Sequence, residues 1–119
     1  MYVIEYYVRS GGRKPAGEWI GSLEQSLQAV IDTKTKMLAQ YGLELLKTDM
    51  VKTISGEDRD LYELRCGQSR IAFYFNRKQS KFVLLCGWLK KKQRQEKDFE
   101  YARRLVREYF SVSEGKEHV

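Results

Sequence analysis

Histidine, proline and cysteine are nearly missing from these 119 residues: one, one and two, respectively. The single histidine, His118, stands next to the C-terminus, which excludes a paired-imidazole ribonuclease, a histidine-based triad and a histidine metal cluster. Cys66 and Cys86 are too few for a secreted disulfide framework, show no C-x-x-C spacing and have no histidine to activate them as nucleophiles. No run approaches the ~18–20 apolar residues of a membrane span, and the first ten residues, MYVIEYYVRS, alternate where a leader would carry a continuous apolar stretch. Glycine-loop nucleotide motifs and the G-x-S-x-G elbow are absent too. What these absences predict is a soluble, reduced, cytoplasmic protein with no metal and no cofactor.

Apolar residues at 42%, charged residues at 32% and fifteen aromatics give globular composition with bulky core material. The length suits one domain, read as residues 1–112, with 113–119 as a flexible tail. Tyr2 to Val8 reads as a strand closed by Ser10-Gly11-Gly12. Apolar residues from Trp19 to Tyr41 then recur at spacings of three and four, with Pro15 suited to a first helical turn and Gly42 to the position past a helix end. A short helix followed by a long one is expected. Leu43 to Ile54 is ambiguous, and Ser55-Gly56-Glu57-Asp58 is a turn. Leu61–Cys66, Arg70–Asn76 and Phe82–Trp88 read as an antiparallel meander, and Glu96 to Phe110 as a closing helix. The fold class is α+β: an N-terminal strand, a helical hairpin, an antiparallel sheet and a C-terminal helix.

The net charge of +6 is unevenly spread. Residues 77–107 carry eleven Lys and Arg against three acids, while the rest of the chain is slightly acidic. Such a concentration attracts polyanions, nucleic acid above all, although a solvated helix face can also be basic. Period-two alternation puts Tyr62, Leu64 and Cys66 on one face of their strand and Leu61, Glu63 and Arg65 on the other. In the next strand Ile71, Phe73 and Phe75 share a face opposite Arg70, Ala72 and Tyr74. With the apolar faces turned to the helices, Glu63, Arg65, Arg70 and Tyr74 are expected on an open face, with Lys90-Lys91-Lys92-Gln93-Arg94 at its rim. Arginine grips phosphate bidentately, and a crowded lysine can exchange a proton. Orienting a 2′-hydroxyl, neutralising a pentavalent phosphorus and protonating the leaving 5′-oxygen require no metal. Each residue also has a structural reading: Arg65 or Glu63 as a cross-strand charge partner, Lys90–Lys92 as a solvated rim, Tyr74 as a surface aromatic, the cysteines as packing.

The runs Leu61-Tyr62-Glu63-Leu64-Arg65, Arg70-Ile71-Ala72-Phe73-Tyr74-Phe75 and Val83-Leu84-Leu85-Cys86-Gly87-Trp88-Leu89-Lys90-Lys91-Lys92-Gln93 resemble the phage-derived HigB-like branch of the RelE/ParE toxin superfamily. The likeness extends from Tyr2 to about Tyr109. It implies the α+β fold just described and a type II toxin, a ribosome-dependent mRNA endoribonuclease. Such a toxin cuts mRNA in the ribosomal A site and is held in a heteromeric complex by a cognate antitoxin, of the helix-turn-helix, HigA-like kind. Carried over by position, Arg65, Arg70, Lys90 and Lys91 become catalytic candidates, and Lys92, Arg94, Tyr74 and Arg103 RNA contacts. Cys86 stands where many relatives have histidine, Lys92 where threonine is usual, and Glu96 about where a proline often precedes the last helix. Two other readings belong to the same scaffold: a ParE-like gyrase poison, and a catalytically degenerate module that binds RNA or an antitoxin.

Overall fold

Three apolar-rich segments, β3 (Leu61–Cys66), β4 (Ser69–Asn76) and β5 (Lys81–Leu89), pair antiparallel through short turns. The computed structural model describes residues 1–91 and 95–117. β1 (Val3–Tyr6) lies parallel to β5 and β2 (Val51–Thr53) antiparallel to β3, giving one sheet of order β1-β5-β4-β3-β2. The expected meander is thus the centre of a mixed sheet. The ambiguous stretch resolves into a 3-10 turn, Gly42–Lys47, and the three-residue β2, both too short for periodicity to reveal.

α1 (Pro15–Gly21) and α2 (Gln25–Tyr41) follow the sequence reading, with Pro15 in the first turn and Gly42 past the end. Gly42 adopts φ 59°, and a Cβ there would lie 2.5 Å from the ring of Tyr2, so only glycine closes α2 against the first strand. Ala16, Ile20, Ile31 and Leu38 from these helices pack on Leu64, Ile71, Phe73 and Phe82 of the sheet.

The opposite face is not open. α3 (Glu96–Glu117) lies on it, with Ala102, Leu105 and Val106 against Leu61, Tyr74, Val83 and Leu85. Those strand residues form a second apolar face, and a sheet apolar on both sides needs a layer on each. α3 also runs past the expected stop near Phe110 to Glu117, through a stretch without proline. Among the described residues no helix is long and apolar enough to cross a membrane.

One irregularity aims the far end of β5. Ala72 pairs with Cys86 but Phe73 with Leu84, so Leu85 is an extra residue in the ladder. This bulge resets the alternation, and both Leu85 and Cys86 belong to the α3 layer, followed by Trp88. Gly87, between them, faces the helices, where a Cβ would lie 2.3 Å from Trp19 Cε3 and 3.0 Å from Ile71 Cδ1. Gly87→Ala is therefore expected to lower stability by about 1–3 kcal/mol, as overpacked cores do, read as a reduced urea midpoint. An unchanged midpoint would mean that α1 yields freely.

Candidate functional site

α3 begins beside Trp88, whose ring meets Phe99 edge-on at 5.7 Å and whose indole N–H donates to Gln95. At this end of the sheet the α3 face turns polar. Cross-strand register puts Lys52, Glu63, Ala72 and Cys86 in one row and Arg65, Arg70 and Trp88 in the next. Lys52 came from the stretch that sequence periodicity left undecided. Only its pairing with Glu63 brings it to this face.

Glu63 is the centre of the cluster. Its Oε1 lies 3.2 Å from Arg65 Nε and 3.2 Å from Arg70 Nε, and its side chain is 5% exposed. Arg65 donates a hydrogen bond to it, whereas the Arg70 Nε is close but poorly aligned for one. The two guanidiniums differ in access: Arg65 is 39% exposed and Arg70 only 7%. Arg70 instead donates through Nη1 to the carbonyls of Gly67 at 2.6 Å and Ser69 at 3.0 Å, closing the turn between β3 and β4. Burial pulls the Arg70 guanidinium below the ordinary arginine value, while Glu63 works to raise it. Arg70 was expected on an open face to meet phosphate. It is instead beneath the surface, bound to a carboxylate, because the Trp88 and α3 layer continues over its strand. Glu63 thus serves as a charge partner, its structural reading. Two cations on one buried carboxylate leave a net positive centre whose accessible member is Arg65.

The other predicted residues separate. Lys90 is exposed, and its backbone N–H donates to Gln68 O at 2.8 Å, tying the end of β5 to the same turn that Arg70 closes. Lys91 reaches Asp98 at 3.4 Å. Lys92 and Arg94 lie outside the described residues. Tyr74, expected to contact RNA, is buried under α3 with its ring 5.0 Å from Phe110 and 5.6 Å from Tyr109; burial first, then Asp60 and Tyr109, pushes its hydroxyl above the usual tyrosine value. Arg103 is 17% exposed and joins Glu96 at 3.2 Å and the carbonyl of Ser55 at 2.5 Å, so it pins α3 to the turn before β3 and does not offer itself to a ligand. Lys52, 43% exposed and 3.3 Å from Asp49, is the cation that sequence reasoning missed.

Cys86 is buried, and burial, helped by Asp98, pushes its thiol up to about 12. It is a neutral packing residue at neutral pH, neither base nor nucleophile. Beside it opens a cleft of about 380 Å³ between Arg9, Arg13, α1 and Tyr101. Both arginines there are held by carboxylates, Arg9 by Glu108 at 2.9 Å and Arg13 by Glu18. Tyr7 also donates to Glu108, and burial together with that bond raises its hydroxyl to about 12.

The unequal burial of the arginines predicts unequal losses. Arg70→Ala strips a buried carboxylate of its inner partner and frees two turn carbonyls, a change expected to cost about 3–5 kcal/mol. Arg65→Ala removes a half-exposed partner and should cost about 1 kcal/mol or less. Chemical denaturation of both variants checks the order, and equal losses would contradict it.

The chain's fold is shared with chains solved in RelE–RelB complexes. It aligns with a chain of the archaeal RelE–RelB complex from Pyrococcus horikoshii OT3 at TM-score 0.59 and 18% identity, covering 77% of this chain and 98% of that one. A chain of the toxin–antitoxin complex RelBE2 from Mycobacterium tuberculosis aligns at 0.50 and 15% identity, covering 75% and 98%. One from the RelB–RelE antitoxin–toxin complex of Methanococcus jannaschii aligns at 0.52 and 15%, covering 72% and 91%. No curated protein sequence matches it significantly. The family model described as phage derived protein Gp49-like (DUF891) matches residues 18–107, from within α1 through α2 and β2 to β5 to the middle of α3, and the chain belongs to that family.

Proposed function

We propose that this protein is the toxin of a type II toxin–antitoxin system, of the HigB-like kind, and that it cuts mRNA in the ribosomal A site as a metal-independent endoribonuclease. The observation that carries the reading is the Arg65–Glu63–Arg70 cluster, a net positive centre with one accessible guanidinium fixed from below. The fold match to toxin chains over nearly their whole length supports the toxin assignment. On this reading the protein works in the cytoplasm and is silenced in a heteromeric complex by a helix-turn-helix, HigA-like antitoxin.

The chemistry follows from what the side chains can do. The RNA 2′-oxygen attacks the adjacent phosphorus and gives up its proton, the bond to the 5′-oxygen breaks, and that oxygen takes up a proton. A 2′,3′-cyclic phosphate and a 5′-hydroxyl result. Arg65 faces the non-bridging oxygens, where its planar fork matches the developing charge. Glu63 and Arg70 hold that fork in place, so Arg70 acts as a positioning residue where sequence reasoning made it a phosphate ligand. Lys52 and Lys90, on either side of the cluster, add positive potential and a source for the leaving-group proton, with Lys91, Lys92 and Arg94 guiding the RNA backbone. Cys86 takes no part, its thiol being protonated and enclosed.

Brief induction in cells, followed by mapping of transcript 5′ ends, should yield cuts inside translated codons. Arg65→Ala should reduce cutting about 10²–10³-fold, the usual loss for one transition-state donor, while the folded fraction stays unchanged. Intact mRNA together with stalled DNA replication would replace this reading with a gyrase poison. Salt-dependent RNA binding without cleavage on programmed ribosomes would leave a degenerate binding module.

A further inference from the structure

The two ends of the sheet are treated differently. The β2 edge is three residues long and carries Lys52 at its centre, a short and charged strand of the kind that discourages pairing. The β1 edge is one residue longer, and its single charge, Glu5, is taken by Lys81. Tyr7 N–H donates to Leu84 O, so strict alternation turns the amides of Val3 and Glu5 toward β5 and those of Ile4 and Tyr6 outward. Tyr2, of the same parity, uses its outward N–H on Ala39 O at the end of α2. Ile4 and Tyr6 have no backbone partner for their outward groups among the described residues.

Apolar surface gathers around this edge. Val3 is 58% exposed, Val8 50% and Tyr6 41%. Two clefts flank it, one on each face of the sheet, and Tyr6 lines both. The cleft on the α1 and α2 face, about 460 Å³, includes Ile20, Gln28, Ala29 and Ile31, and its one charged residue, Asp32, is paired with Lys36. The cleft on the α3 face, about 730 Å³, includes Val8, Tyr109, Phe110 and Val112 below a cationic rim. In that rim Arg77 is taken by Asp60 and Lys81 by Glu5, while Lys78 has no carboxylate partner among the described residues.

We propose that the outer edge of β1 is a docking site for an extended segment of a protein partner whose side chains alternate apolar and acidic. A strand laid along β1 would complete the outward hydrogen bonds of Ile4 and Tyr6. Its period of two would send apolar side chains into the α1 and α2 cleft and acidic ones toward Lys78. Charge selects this occupant over a second copy of the chain, since two copies would each bring a net charge of +6 to the contact. Naming the segment's owner as the antitoxin rests on the toxin reading, whereas the docking itself does not.

The test uses the whole protein and two fluorescent octapeptides, one of alternating valine and glutamate and one of alternating valine and lysine. In anisotropy titrations the glutamate peptide should bind saturably and the lysine peptide should not. Tyr6→Pro removes an outward N–H, a loss that an edge strand tolerates, together with the phenol that lines both clefts, and should weaken binding about tenfold or more. Lys78→Glu, far from any core contact, should weaken it as well, so the idea can be judged even if the proline variant misfolds. Equal binding of the two peptides, or binding indifferent to both substitutions, would overturn the proposal. So would sedimentation as a dimer that Tyr6→Pro dissociates, which would make a second copy the occupant. None of these readouts involves RNA or toxicity, so failure here leaves the cleavage reading to its own experiment.

Discussion

A single carboxylate organises the polar end of this sheet. Glu63, enclosed between two arginines, would be intolerable in an apolar layer without them, and Arg70 would be equally misplaced without Glu63. Their mutual dependence fixes more than charge. Because Arg70 also bonds the carbonyls of Gly67 and Ser69, the same contact closes the β3–β4 turn, and through Gln68 it reaches the backbone of Lys90 at the end of β5. Arg65 therefore stands on a floor that three strands share. An arginine on such a support loses little freedom on meeting an anion, which is the condition for a strong contact from a single side chain.

The charge excess of residues 77–107 looks different once its partners are seen. Arg77, Lys81, Lys91, Arg103 and Arg107 each lie within 4 Å of a carboxylate, several of them from the acidic remainder of the chain. Arg103 and Arg107 join α3 to the loop before β3, through the Ser55 carbonyl and Asp58. Much of what reads in one dimension as a field for polyanions is therefore internal stitching between layers.

Strong periodicity was legible and weak periodicity was not. β3, β4 and β5 are runs of six to nine residues rich in apolar and aromatic side chains and bounded by turn residues, and α1 and α2 keep an apolar stripe between a proline and a glycine, so their positions follow from composition and spacing. β2 offers three residues, too few for any period, and Lys52 was lost with it. The candidate site was half legible: alternation put Glu63, Arg65 and Arg70 on one face, but not which of them α3 and Trp88 would cover. Tyr74 was misplaced for a related reason. Its strand is apolar on both faces, and an amphipathic ring gives no sign of which layer it joins. The bulge at Leu85 leaves no mark in composition, yet it decides that Cys86 and Trp88 face α3.

The contact between Trp19 and Gly87 joins what the sheet would otherwise keep apart. Gly87 turns toward α1, while its two neighbours in the chain, Cys86 and Trp88, are packed in the α3 layer. Three consecutive residues thus feel both sides of the molecule. The peptide planes on either side of Gly87 therefore serve both layers at once, and a side chain added there would push on the Trp19 indole while its neighbours are held in place from the other side.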